Sequence, residues 1–424
     1  MKSLRIVFIL AILVALVASF GAAEERVKLQ FAGRFNEAGN LAPPYHLFLQ
    51  FIEEYQALNP HVEIEYIGET SGSTWVDLLL VRAAAFGMPD IVLLHHVWFS
   101  DFYFQGAFQP IPEDVLSRLT AELHPATMIG SQVNGVTYGV PGEIQVTGLM
   151  YNQRLLNESG LGGPPETWDD LVLVSRRMPR KSDGTYERLP LAVNGGGWGW
   201  NGNYMAILSA YGGAYVDQEG RIAVDSPEGV DTLRRIGEWF GPDGFGSDNR
   251  TPFLIGEGYF GIGYPWWMGF LRAHDQTSEA IAEYYRVGPM PAGPAGRGSY
   301  LYGWSFFVAN DSPNSREAWR FLEWLALDRT GREMTRIDEV MGVALGSLPT
   351  HRADLARPEL FEYGLYYQLF GNNLADAVAD PILPNGTRRQ DAIAQAVSAV
   401  IHGTQSPIEA ATNLAQLSRS LAGQ

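Results

Sequence analysis

Apolar and polar positions alternate over residues 27–31 (VKLQF), a period of two that predicts a half-buried strand. Helical spacing follows over 45–58, where Leu47, Phe48, Phe51, Ile52 and Tyr55 share one face and Asn59-Pro60 ends the run. Strands are predicted again at 62–67 and 91–94, with a helix over 75–86 between them. Each of these strands runs into a loop of polar or aromatic side chains: Arg34-Phe35-Asn36, Glu69-Thr70, and His95-His96-Val97-Trp98. Ligands of open α/β sheets bind beyond the carboxyl ends of the strands, so these loops are candidate walls of a site.

The pattern repeats after residue 148. A strand at 148–151 precedes a helix from Gln153, and Thr167 is the expected N-cap of a helix reaching about Arg177. The strand at 189–193 enters the run Gly197-Trp198-Gly199-Trp200-Asn201-Gly202, Ser226 caps a helix to Phe240, and the strand at 259–262 ends in Tyr264-Pro265-Trp266-Trp267. Two segments read as crossings between the groups, 138–152 (YGVPGEIQVTGLMYN) and 287–303, the second rich in Pro and Gly. Two crossings make a hinge, and a hinge makes a cleft. Ser312 is the expected cap of a helix over 313–327, a further helix follows Asp328, Leu348-Pro349-Thr350-His351-Arg352 is a turn, and helices at 389–401 and 407–421 end the chain.

At 424 residues and 46% hydrophobic content the chain exceeds one ordinary core, and two lobes are expected. Lys2 and Arg5, an apolar run and small residues before Glu24 read as a secretory signal over 1–23. Its removal takes the formal charge from −17 to −19, which repels phosphate backbones, so no nucleic-acid partner is expected. The absence of Cys excludes disulfides, thiol catalysis, thiolate metal sites and a lipoprotein anchor.

The 197–202 run matches G-x-G-x-x-G, but Trp198 and Trp200 would block the close approach to a pyrophosphate that those glycines permit. Chance matches are ordinary in a chain with 47 glycines, and no cofactor is expected. His95-His96 lack a third histidine nearby in sequence, and neighbours on a strand face opposite ways, so one should face the cleft, as a hydrogen-bond partner, and the other should pack. Glu69, Asp90, Glu143 and Glu257 raise a glycosidase reading, which needs two carboxylates flanking one bond, yet carboxylates also accept from sugar hydroxyl pairs. Asp90, just before a strand, reads as structural. Arg34, Arg352, Arg388 and Arg389 are candidate anion holders, against the plain alternative of solvated loop tips. Trp98, Trp198, Trp200, Trp266, Trp267 and Trp304 lie at strand ends or in glycine-rich loops, where an indole offers an apolar platform to the C–H face of a sugar.

Several segments, taken in order, resemble the extracellular solute-binding proteins of bacterial ABC transporters, a family that binds maltodextrins, other sugars and glycerol phosphates. They are Gly135 through Pro141 before Leu149-Met150-Tyr151-Asn152, then Pro164 through Asp170, Asp225-Ser226-Pro227-Glu228-Gly229, Gly261-Ile262-Gly263 before Trp266, and Val287-Gly288-Pro289-Met290-Pro291 before Gly303. The resemblance implies an α/β fold of the two-lobe periplasmic-binding-protein type, type II-like, with lobes 24–141 plus 292–338 and 142–291 plus 339–424. It implies a carbohydrate ligand, permease subunits as partners, a monomer and no reaction. Glu143 and Gln145 of the first crossing would be ligand contacts, and Trp266 would stack on a sugar. The expected ligand set is completed by Arg34, Phe35, Asn36, Glu69, Thr70, His95, Trp98, Trp198, Trp200, Trp267, Gly303, Trp304, His351 and Arg388. The rivals are a secreted glycosidase and a sensory sugar-binding subunit.

Overall fold

The computed structural model describes residues 26–38, 41–68, 72–273 and 278–424, so the expected signal over 1–23 and the candidates Glu69 and Thr70 lie outside the described residues. In the first sheet Val27–Gly33 runs parallel between Val62–Gly68 and Ile91–His95. Leu29 and Phe31 point into the core while Lys28 faces water, and this alternation fixes the register. Ser299–Val308 joins the far side antiparallel to Ile91–His95 and pairs with Gly139–Val146. The second sheet has the order Tyr285–Gly288, Gly148–Asn152, Gly258–Gly263, Leu189–Ala192, Gly246–Ser247. Both sheets are therefore mixed, because segments that leave a lobe and return run against the strands they rejoin.

The second sheet has one core and the first has one on each face, and two paired strands pass from the larger core of the first sheet to that of the second. Val140 packs in the first core, whereas Ile144 and Val146 pack in the second. On the partner strand Phe306 and Val308 belong to the first, Tyr300 and Leu301 to the second. The ladder slips register between Trp304 and Ser305, which face Glu143 and Pro141, so Gly142 is the extra residue of a bulge at the passage. A side chain there would meet the Phe306 ring at 2.6 Å.

Several local signals are realised. Thr167 and Ser226 cap their helices by accepting from Asp170 N at 3.1 Å and Gly229 N at 3.2 Å. Ser312 does not cap as expected: its helix is Ser315–Leu327, and Ser312 Oγ instead accepts from Asn314 N and donates to Asp90. Asp90 also accepts from Gln30 N at 2.8 Å, so it ties two strands to a helix entrance. Beyond Asp328 a single turn, Arg336–Asp338, leads into a π-helix, Glu339–Leu345, closed by Gly346 at φ 83°. Among the described residues no helix is long and apolar enough to cross a membrane.

Candidate functional site

A cavity of about 790 Å³ opens where the two cores meet the crossing strands. From the first lobe come Arg34, His95 and Trp98, each at or just past a strand's carboxyl end. His95 is the N-cap of the helix His96–Tyr103, its Nδ1 accepting from Val97 N at 3.2 Å. Burial, and then the nearby charges of His96 and Arg34, hold its pKa well below the usual imidazole range, so the ring is neutral and, with Nδ1 accepting, its Nε2–H is the donor. His96 turns inward as the alternation requires, bonding Ser305 Oγ at 3.0 Å, and burial lowers its pKa to about 3. Among the described residues no group of three or more His, Cys, Asp or Glu could hold a metal.

The crossing strands supply Glu143, Tyr302 and Trp304. Arg34 Nη1 donates to Glu143 Oε2 at 2.6 Å, and the guanidinium lies 4.4 Å from the Trp304 ring centroid. Glu143 Oε1 accepts from Gln145 Nε2 at 3.2 Å, and Gln145 also donates to Ser347 Oγ at 2.9 Å. Trp98 meets Trp304 edge-on at 4.9 Å, which locks both indoles. Tyr302 stacks on His95 at 5.3 Å and accepts from Trp266 Nε1 at 2.9 Å. One phenol thus joins the two walls.

The second lobe brings Trp198, Trp266, Arg250 and Phe270. Trp198 sits in the first turn of the helix Gly197–Ala210, beyond Gly196 at φ 80°, and is 40% exposed. It lies 6.1 Å from Trp266 and 5.5 Å from Tyr302. Trp266 is stacked on Tyr264 at 6.0 Å. The floor is the π-helix and its end, Gly342 to Gly346, with Val343 more than half exposed.

Other expected contacts lie elsewhere. Phe35 packs on Phe48 in the first core, because the loop folds back over the sheet and Tyr66 Oη bridges its backbone. Asn36 turns its own loop, accepting from Ala38 N at 2.8 Å. Trp200 packs edge-on against Phe240, and Trp267 is fully buried beside Phe253. Gly303 is buried against the Glu143 carbonyl, where a Cβ would approach to 2.1 Å, so its role is close strand packing. Gln145 is buried behind Glu143, and His351 is buried beside Glu122 at 3.5 Å, away from the cavity. Arg388 is exposed on a helix, while its neighbour Arg389 donates to the carbonyls of Pro381, Leu383 and Pro384. Sequence reasoning missed Tyr302, Arg250, Phe270 and the π-helix. Tyr302 was within reach, since it stands two residues from Trp304 on one strand and so shares its face.

Comparison with known proteins fits this architecture. A probable ABC transporter-binding protein of Deinococcus radiodurans is 26% identical over 301 residues, 67% of this chain and 68% of that protein. An arabinooligosaccharide-binding protein of Halalkalibacterium halodurans is 22% identical over 321 residues, 72% of this chain and 68% of the relative. The solved structure of maltose-bound MalE3 from T. maritima superposes with a TM-score of 0.74 at 23% identity, covering 93% of this chain and all of that one, a likeness of fold. The sequence profile of the bacterial extracellular solute-binding proteins matches residues 38–331, well over half of the chain, and the protein belongs to that family.

Proposed function

We propose that the protein captures a carbohydrate in this cavity and presents the closed form to the permease of an ABC importer outside the cytoplasmic membrane. The observation that carries the reading is the aromatic lining: Trp98 and Trp304 on one wall, Trp198 and Trp266 on the other, joined through Tyr302. Flat apolar faces rimmed by the neutral His95 and the paired Arg34 and Glu143 suit rings that are apolar on their faces and hydroxylated at their edges. The sugars bound by two of the similar proteins, arabinooligosaccharide and maltose, support that class. In this reading residues 24–141 with 292–338 and 142–291 with 339–424 are the two lobes, residues 1–23 direct export, and the mature chain acts as a monomer without cofactor or nucleic acid. No reaction is needed. Both oxygens of Glu143 accept hydrogen bonds within the protein, an arrangement that orients a carboxylate rather than freeing it for proton transfer.

A thermal-shift screen of the mature chain against mono-, oligo- and phosphosugars tests the reading, because a ligand that binds only the native state raises the melting point. For the sugar so found, Trp266→Ala is expected to weaken binding by roughly ten- to a hundredfold by calorimetry, taking base stacking on aromatics as the measure of a stacked ring. Wild-type affinity in that variant would remove the stacking role. Ligand that bridges both walls favours closure through differential contact, so the radius of gyration in solution scattering should fall at saturation. Unchanged scattering with a bound sugar would argue against closure.

A further inference from the structure

The cavity contains two guanidinium groups in opposite circumstances. Arg34 has the Glu143 carboxylate at 2.6 Å. Among the described residues Arg250 forms no ion pair, and its one hydrogen bond runs from Nη1 to the Asn194 side-chain oxygen. Its guanidinium carbon lies 5.1 Å from the Trp266 ring centroid and 5.2 Å from that of Phe270, so the group is held against two rings. Nε is buried with no acceptor. Burial lowers the pKa of this arginine, with no acid among the described residues opposing it. Glu362, also on the cavity wall, is solvent-exposed.

A partly desolvated cation without a counter-charge costs the folded state free energy. The local chain nevertheless builds the position carefully. Ser247 Oγ accepts from Asn249 N at 3.1 Å and Asn249 Oδ1 from Thr251 N at 3.0 Å, which fixes the backbone on both sides of Arg250. With Nη1 turned to Asn194 and Nε buried, Nη2 is the guanidinium nitrogen without an acceptor among the described residues, a charged donor of the kind that carboxylates and phosphates accept from. The chain's formal charge of −17 acts against anions at long range, but is screened beyond about 10 Å in ordinary salt, so the cavity's own charges decide.

We infer that Arg250 anchors an acidic group on the bound carbohydrate, so the ligand class is an anionic saccharide. This rests on the carbohydrate reading and narrows it. The shared chemistry is an oxyanion borne on a sugar, whether a uronic-acid carboxylate or a phosphate or sulfate ester.

The test is calorimetry of the mature chain with matched pairs: glucuronate and glucose, galacturonate and galactose, mannuronate and mannose, their 1,4-linked dimers, and the 6-phosphates and 6-sulfates of the three neutral sugars. An acidic member is expected to bind at least about tenfold more tightly than its neutral counterpart, and Arg250→Gln should erase that preference, bringing the ratio of the two affinities to about one. The preferred member of the panel separates carboxylate from ester. Apo Arg250→Met should melt at or above wild type, since an unpaired cation is removed. Neutral sugars binding as well as acidic ones, or a preference that survives Arg250→Gln, would overturn the assignment and leave sugar binding intact. An apo Arg250→Met that melts well below wild type would show a structural arginine and also overturn it. Binding of no sugar in the panel would bring down the carbohydrate reading together with this one.

Discussion

Glu143→Ala is expected to lower the unfolding free energy by about 3–5 kcal/mol, toward the lower end because Arg34 retains 19% side-chain exposure. Glu143 is 4% exposed and directly faces Trp304 across the crossing strands. Truncation leaves the Arg34 guanidinium lying over the Trp304 ring with its carboxylate gone, and takes from Gln145 one of its two acceptors. The loss measures an orphaned charge, not the worth of the pair. Hence Arg34→Met combined with Glu143→Leu should recover most of it, since neither charge then stays buried alone. Urea unfolding of the two single variants and the double variant gives the coupling. A Glu143→Ala protein within about 1 kcal/mol of wild type, the value of an exposed pair, would show that this ion pair is solvated in practice.

The placement of that pair was legible because it depends on topology. Arg34, His95 and Trp98 lie at strand ends, Glu143 lies on the first crossing and Trp304 directly follows the second, so a rule about strand ends and a rule about hinges pointed to each of them. The tryptophans separate where those rules end. Trp198 and Trp200 sit on one helix two residues apart, about 200° around its axis, so Trp198 faces the cavity and Trp200 faces Phe240. Trp266 ends a loop and Trp267 begins the helix Trp267–Ala273, which turns the second indole into the core. Residue type does not distinguish the members of either pair; only the exact start of the helix does. The π-helix Glu339–Leu345 has no period that a pattern would detect, and it appears only once the chain is packed between the lobes. Arg250 carried a weaker signal, a polar turn after the short strand Gly246–Ser247, without the aromatic residues that drew attention to the other strand ends.

One carboxyl behind the cavity floor is expected to take away up to about 3 kcal/mol of stability as pH rises from about 5 to about 8. Asp338 is fully buried, accepts from Thr350 N at 2.7 Å and His351 N at 3.1 Å, and shares a hydrogen bond with Asp354, whose Oδ1 is held by Arg329 at 2.7 Å. Burial, and then the charge of Asp354, push its pKa up from 3.8 to about 7. The folded protein therefore keeps this proton at pH values where the unfolded chain has released it. Between those two pKa values the native state binds more protons, so stability is fully present below the lower one and is lost as pH climbs through the upper one. His95 and His96 slope the other way, since imidazoles held neutral add stability up to about pH 6.5. The difference curve against Asp338→Asn isolates the carboxyl, because an amide can still donate to Asp354 and accept from Thr350 N without titrating. Urea unfolding at pH 5 and pH 8 should show wild type losing up to about 3 kcal/mol relative to Asp338→Asn as pH rises, and the same pH dependence in both would rule out the shared proton. Because Asp338 directly precedes the π-helix whose residues Gly342 to Gly346 floor the cavity, loss of that proton should loosen the floor as well. Affinity for the bound sugar is then expected to decline over the same pH window in wild type and to stay level in Asp338→Asn.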